Sequence, residues 1–101
     1  MARRIIWTKI AQEDRKQIFE YWNNRNKSKQ YSKKLQSLIK ESLHLVGNNP
    51  LIGKKSDLKD VRIKIVRDYQ LFYQFTEDSV FVLSVWDSRQ DPDKLEIRKA
   101  R

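Results

Sequence analysis

The chain contains no cysteine and very few histidine, glycine and proline residues, and each of these low counts excludes certain kinds of site or fold. Its 101 residues include no cysteine, one histidine, two glycines and two prolines. Without cysteine there is no disulfide and no thiolate ligand, and a single histidine is a poor basis for a metal site. Two glycines and two prolines are too few for a loop-rich or disordered chain. We therefore expect an ordered domain that binds no metal.

Long apolar runs and nucleotide-binding motifs are also missing. No run approaches the roughly 18 apolar residues that would span a membrane. Lys54 and Lys55 follow Gly53, but the earlier glycine of a phosphate-binding loop is absent. We expect a cytoplasmic protein that uses no cofactor and has no membrane partner.

Acidic residues are outnumbered, 13 against 22 lysines and arginines, which gives a net charge of +9. The excess is unevenly distributed along the chain. Residues 25–40 contain six cations and no acid, and residues 54–67 contain six cations and two acids. Clustered positive charge favours nucleic acid or an acidic protein as the partner.

What the sequence does contain is the pattern of a single domain over residues 1–101. Residues 4–7 predict a short strand, and Thr8 is a good N-cap for the helix that follows. A second helix is predicted from about Ser28 to Val46, since Gly47 and Pro50 then supply helix-stop chemistry. The predicted inward positions are Ile10, Ala11, Asp14, Ile18, Tyr21 and Trp22 in the first helix, and Tyr31, Leu35, Leu38, Ile39, Ser42, Leu45 and Val46 in the second.

The last third of the domain predicts three consecutive strands after a polar loop at residues 51–60. Residues 61–65 alternate apolar and basic side chains, which is typical of a strand with one buried face. Residues 69–76 place Tyr69, Leu71, Tyr73 and Phe75 on one face and Gln70, Phe72 and Gln74 on the other. Residues 80–86 are apolar on both faces, which indicates a strand with neighbours on both sides. We expect an α+β fold of order β-α-α-β-β-β, with two helices on one face of a mainly antiparallel sheet. The other face is predicted to show Arg62, Lys64 and Gln70 to solvent.

The order of these elements and several motifs resemble the RelE/ParE superfamily of small bacterial toxins. The segments that carry the resemblance are Ile5-Ile6-Trp7-Thr8, Asn49-Pro50-Leu51-Ile52-Gly53-Lys54, Val61-Arg62-Ile63, Arg67-Asp68-Tyr69-Gln70-Leu71-Phe72-Tyr73, and Val82-Leu83-Ser84-Val85-Trp86-Asp87-Ser88-Arg89-Gln90-Asp91-Pro92. The resemblance implies the toxin of a type II toxin–antitoxin module, with growth inhibition, plasmid stabilization and neutralisation by a cognate antitoxin. The exposed side of the first helix near Phe19, or the face with Arg62 and Lys64, would receive that antitoxin.

Toxins of this superfamily act on one of two kinds of target, and certain residues of this sequence help to decide between them. RelE-like toxins are endoribonucleases that cut mRNA on the ribosome, whereas ParE-like toxins poison DNA gyrase. Arg62 and Lys64 match two basic positions of the ribonuclease pattern, and Arg89 is a shifted counterpart of a third. Gln70 replaces an arginine of that pattern, and no tyrosine or histidine stands near the C-terminus to transfer a proton.

We therefore predict a ParE-like toxin that binds an essential target. Its target- or nucleic-acid-binding residues are predicted to be Lys54, Lys55, Arg62, Lys64, Arg67, Gln70 and Arg89. Two alternatives stay open: a ribosome-dependent mRNA interferase with Arg62, Lys64 and Arg89 as catalytic candidates, and a non-toxic relic that binds an antitoxin or RNA.

Overall fold

The computed structural model describes residues 3–88, which form two helices against a five-stranded mixed sheet. The elements are β1 (Arg4–Trp7), α1 (Lys9–Asn26), α2 (Gln30–Asn48), a 3₁₀ turn (Pro50–Ile52), β2 (Lys54–Lys55), β3 (Arg62–Val66), β4 (Tyr69–Phe75) and β5 (Ser79–Asp87). The spatial order of the strands is β1-β5-β4-β3-β2. Only the β1–β5 pair is parallel; the other three are antiparallel. The predicted α+β fold is confirmed, and the predicted loop contains a two-residue edge strand, β2.

Helix α1 begins as its capping residue predicts. The Thr8 hydroxyl accepts a hydrogen bond from the Ala11 backbone nitrogen at 3.2 Å, which satisfies one of the free N–H groups of the first turn. The helix ends at Lys27, whose left-handed backbone (φ 51°) turns the chain toward α2. Local sequence therefore determines both the start of α1 and the turn between the two helices.

The buried face of α2 differs slightly from the predicted one. Leu35, Ile39 and Val46 are buried as expected, but Leu43 is buried and Leu45 is 50% exposed. On α1, Ile10 and Tyr21 are likewise exposed, although the helical spacing predicts that they face inward. Successive residues of a helix are rotated by 100° about its axis. A side chain one position away from the centre of the apolar stripe therefore points away from the surface on which the helix packs.

The strand β5 lies between β1 and β4, as its apolar residues on both faces predict. Val80 and Val82 point toward the helices and are fully buried. A smaller apolar cluster, formed by Leu58, Val61, Ile63 and Phe72, lies on the opposite face of the sheet. The sheet thus buries apolar side chains on both faces.

Asp14 of α1 has a structural task in this packing. Its Oδ2 accepts hydrogen bonds from the Ser84 hydroxyl at 2.9 Å and from the Val85 backbone nitrogen at 3.0 Å. These groups lie where β5 carries one extra residue relative to β4, because Phe72 pairs with Ser84 while Tyr73 pairs with Val82. The carboxylate therefore fastens α1 to a β-bulge, whose local break in the ladder needs extra hydrogen-bond partners.

Candidate binding surfaces

The pairing of β3 with β4 shows which face each basic residue occupies. Arg62 lies opposite Tyr73 and Lys64 opposite Leu71. Residues directly opposite one another in a ladder share a face, and Leu71 belongs to the cluster packed against the helices. Arg62 and Lys64 therefore lie on the helix side of the sheet.

The predicted cationic outer face is consequently wrong. Gln70 lies opposite Ile65, on the face away from the helices, so it does not share a surface with Arg62 or Lys64. The reason is the second apolar cluster, in which Ile63 packs with Phe72 on the outer face. Alternation correctly separates the apolar from the basic residues of β3, but the apolar set packs away from the helices.

The side chain of Arg62, one of the catalytic candidates, is hydrogen-bonded to backbone carbonyl groups. Its Nη1 donates to the Gly53 carbonyl at 2.7 Å and to the Leu51 carbonyl at 3.3 Å. Hydrogen bonds from a charged donor are stronger than those between neutral groups. The guanidinium therefore holds the chain that follows α2 against the start of β3.

Tyr73 completes this arrangement from the neighbouring strand. Its side chain is fully buried, and its hydroxyl donates to the Pro50 carbonyl at 2.6 Å and accepts from the Gly53 nitrogen at 3.0 Å. Burial raises the pKa of the Tyr73 phenol above its ordinary value, with the Gly53 hydrogen bond and the Arg62 charge acting in the opposite direction. At neutral pH the phenol is thus a bound hydrogen-bond donor and not a proton acceptor.

Gly53 is the residue that makes room for Tyr73. A Cβ at Gly53 would fall 2.8 Å from the Tyr73 Cε1 and 2.9 Å from the Ile63 carbonyl oxygen, and closer still to the phenolic oxygen. No side chain fits at these distances without moving the neighbouring backbone. The Gly53 segment, which lacks the spacing of a phosphate-binding loop, is therefore a close-packed turn.

Of the remaining predicted residues, Lys55 shares the helix side of the sheet with Arg62 and Lys64, whereas Lys54 and Arg67 do not join that set. Lys54 and Lys55 lie exposed on the edge strand β2, opposite Ile63 and Arg62 respectively, and therefore on different faces. Arg67 forms the exposed turn between β3 and β4, with a left-handed backbone (φ 56°). Arg89 lies outside the described residues.

A surface groove that the predicted site residues do not touch lies between the two helices and β1. It has a volume of about 360 Å³. Its apolar lining is Ile5, Trp7, Phe19, Ile39 and Leu43, and Arg15 and Lys40 also border it. The Arg15 guanidinium lies 4.1 Å from the centre of the Trp7 ring, in a cation–π contact. The groove combines apolar surface with positive charge, and it includes Phe19, near which the sequence analysis expects the antitoxin.

Within residues 3–88 no three His, Cys, Asp or Glu side chains are grouped to hold a metal ion. None of the helices in that range is long and apolar enough to cross a membrane. His44, the one histidine, is exposed on α2 and lies 3.4 Å from the Asn48 side-chain nitrogen through its Nε2.

Comparisons with known proteins agree with the fold and name a family. The search of curated proteins found no significant match. The fold resembles a solved structure described as "Chromosomal ParDE TA system from P. aeruginosa", with a TM-score of 0.72, 15% sequence identity, and coverage of 83% of this chain and 94% of that one. The sequence model of the family described as "ParE toxin of type II toxin-antitoxin system, parDE" matches residues 5–92. Because that match covers most of the chain, this protein belongs to the ParE family of toxins of type II toxin–antitoxin systems.

Proposed function

We propose that this ParE-family protein inhibits growth by binding DNA gyrase in the cytoplasm, and that it does not cut RNA. The main support is the role of Arg62. A ribonuclease needs cations free to stabilise the charge that develops on the scissile phosphate. Here Arg62, one of the three catalytic candidates, donates instead to the Gly53 and Leu51 carbonyls.

Proton transfer is the second requirement of RNA cleavage, and the described residues offer little for it. Tyr73 is buried and has both of its hydrogen-bonding roles filled by backbone groups. A general base must reach the proton that it removes. Inhibition by binding needs neither a free cation cluster nor a base, and so it fits this chain better than catalysis.

The partner that neutralises the toxin is proposed to be a cognate antitoxin that occupies the groove between α1, α2 and β1. The matching family consists of toxins from toxin–antitoxin systems, which supports such a partner. An amphipathic segment places apolar side chains in such a groove and acidic ones beside the bordering cations. Arg15 and Lys40 provide those cations, and Phe19 and Trp7 provide apolar anchors.

Expression in a bacterial host tests the proposed activity. Inducing the gene alone should arrest growth and raise the DNA-damage response, while primer extension should show intact transcripts. Cuts phased with codons would overturn the proposal in favour of an mRNA interferase. Normal growth with soluble, folded protein would overturn it in favour of a non-toxic relic.

A pair of charge-reversal variants tests the groove. Arg15→Glu removes the cation that contacts Trp7, whereas Lys16→Glu makes the same change on an exposed neighbour outside the groove. We expect Arg15→Glu to weaken antitoxin binding by about tenfold or more, and Lys16→Glu to change it by about twofold or less. Equal losses in the two variants, measured by calorimetry on folded proteins, would place the antitoxin elsewhere.

A further inference from the structure

The outward face of α2 carries a row of polar and basic side chains, of which the proposed antitoxin groove uses only Lys40. Positions 29, 33, 37, 40 and 44 recur at three- and four-residue intervals, so they share one face of the helix. They are Lys29, Lys33, Ser37, Lys40 and His44, here called the basic stripe, and all five are exposed. Lys29 and Lys40 are 11 positions apart, a rise of about 16 Å along the helix axis.

The basic stripe opposes the stability of its own helix. The positive end of the helix dipole is at the N-terminus, where acidic residues are favourable and cations are not. In α2 that end has Lys29 as the capping residue with no side-chain hydrogen bond, and the first turn contains no acid. Lys29 and Lys33 are also four residues apart, a spacing at which like charges repel. Features that act against the fold are expected where function requires them.

The chemistry of the basic stripe fits a polyanion better than a folded protein. Protein interfaces depend on apolar or aromatic anchors near their centre. The exposed large apolar residues of the described chain all lie outside the stripe: Ile10, Tyr21, Leu45, Leu51, Ile52 and Ile65. Glu41, next to Lys40, is the one acid of α2, and residues 25–40, which contain Lys29, Lys33 and Lys40, have none. A partner with dense, regular negative charge therefore matches this face.

We propose that the basic stripe binds the phosphate backbone of double-stranded DNA without reading its sequence. An α-helix with its side chains is about 10–12 Å across, and the B-DNA major groove is about 12 Å wide. The major groove of an RNA duplex is too narrow to admit side chains. The lysines contact phosphates on either side of the groove, and affinity comes from the release of counterions. The inference rests on the charges of α2 and not on the proposed gyrase target.

Fluorescence anisotropy with a labelled 20-base-pair DNA duplex, between 50 and 200 mM NaCl, tests the proposal. The test variant is Lys29→Gln/Lys33→Gln, and its control, Lys9→Gln/Lys16→Gln, removes the same charge from exposed positions on α1. We expect the stripe variant to lose about tenfold or more in affinity, and its salt slope to fall by about two, one for each lost phosphate contact. The control should keep both values close to those of the unsubstituted chain.

Thermal melting separates binding from folding. Because Lys29 and Lys33 oppose the helix dipole, the stripe variant should melt no lower than the unsubstituted chain. Absent binding at 50 mM NaCl, or equal losses in both variants, would overturn the proposal. Tighter binding to an RNA duplex of the same length, or to polyglutamate at equal charge, would replace DNA with RNA or an acidic protein as the partner and would likewise overturn it.

Discussion

The phenolic hydroxyl of Tyr73 lies 3.0 Å from the backbone nitrogen of Gly53 and accepts its hydrogen bond. Arg62 binds the Gly53 carbonyl from the other side, at 2.7 Å. Both polar groups of this glycine are thereby held by side chains from two neighbouring strands. The connection between α2 and the sheet depends on this small polar cluster, although parts of it match a toxin's active-site pattern in sequence.

Adding a single methyl group at Gly53 should damage the fold. A Cβ there would lie 2.9 Å from the Ile63 carbonyl oxygen and 2.8 Å from Tyr73 Cε1, so the strand or the turn must move. We expect Gly53→Ala to lower the free energy of unfolding by about 1–3 kcal/mol, as overpacking does elsewhere. Urea denaturation of the variant and the unsubstituted chain measures this difference in the free energy of unfolding.

Gly47 provides the matched control for that substitution. It lies within α2, and a Cβ at that position would be 3.4 Å from its nearest neighbour, the Arg3 carbonyl oxygen. Alanine is favoured over glycine inside a helix by up to about 1 kcal/mol, which offsets the tight contact. Gly47→Ala should therefore leave stability nearly unchanged. A loss as large as that of Gly53→Ala would contradict the account.

Removing the hydroxyl of Tyr73 should also destabilise the protein. Tyr73→Phe leaves the Pro50 carbonyl and the Gly53 nitrogen without this partner in a buried setting. A buried polar group that loses its partner costs about 1–3 kcal/mol. Tyr21→Phe is the control, since Tyr21 is 51% exposed, and it should change stability by less than about 0.5 kcal/mol. Similar effects of the two substitutions in urea denaturation would refute the assigned role.

The raised pKa of Tyr73 predicts a loss of stability in alkali. Burial disfavours the phenolate, so the folded protein holds this proton to a higher pH than the unfolded chain, whose tyrosines titrate near 10.0. The stabilising contribution is complete below pH 10 and is lost as the pH rises through the folded-state pKa. Between pH 9 and 11, the free energy of unfolding should fall less steeply for Tyr73→Phe than for the unsubstituted chain. Parallel slopes would exclude Tyr73 as the titrating group.

Asp14 should prove structural although it interrupts an apolar helix face. Asp14→Asn weakens the bonds that the carboxylate accepts from Ser84 and from the Val85 nitrogen. Hydrogen bonds to charged groups contribute about 1.5–3 kcal/mol, and we expect a loss of about that size. Glu13→Gln, on the exposed side of α1, is the control and should be nearly neutral. Hydrogen exchange at Val85 should rise only in the Asp14 variant.

Arg62 and Lys64 should differ sharply despite their similar positions in sequence. Arg62→Gln removes the charged donor to the Leu51 and Gly53 carbonyls, and we expect a loss of about 1–2 kcal/mol, since the side chain is half-exposed. Lys64→Gln should cost less than about 0.5 kcal/mol. Thermal melts of the two variants compare them directly. Equal stability of both variants would mean that the Arg62 contacts do not support the fold.

The fold was predictable because its signals are local. Thr8 has capping chemistry, and residues 80–86 are apolar on both faces, so a helix start and a central strand followed directly. The face of Arg62 was not predictable, because alternation shows which residues share a face but not which face the helices cover. The bulge that Asp14 fastens gives no signal in composition either, since it depends on the register between β4 and β5.

The two proposed binding surfaces also differ in how far the sequence predicts them. The basic run at residues 25–40 is visible in sequence, and helical spacing places Lys29, Lys33 and Lys40 on one face. The groove against β1 joins residues far apart in the chain, such as Ile5 and Leu43. In the sequence its apolar residues cannot be distinguished from core residues. Only the tertiary structure shows that a groove lies between them.

Inhibition of purified DNA gyrase measures the central claim most directly. Supercoiling of relaxed plasmid should fall as the purified chain is added, and it should recover when the cognate antitoxin is present. Full supercoiling activity at a large excess of folded protein would contradict the account.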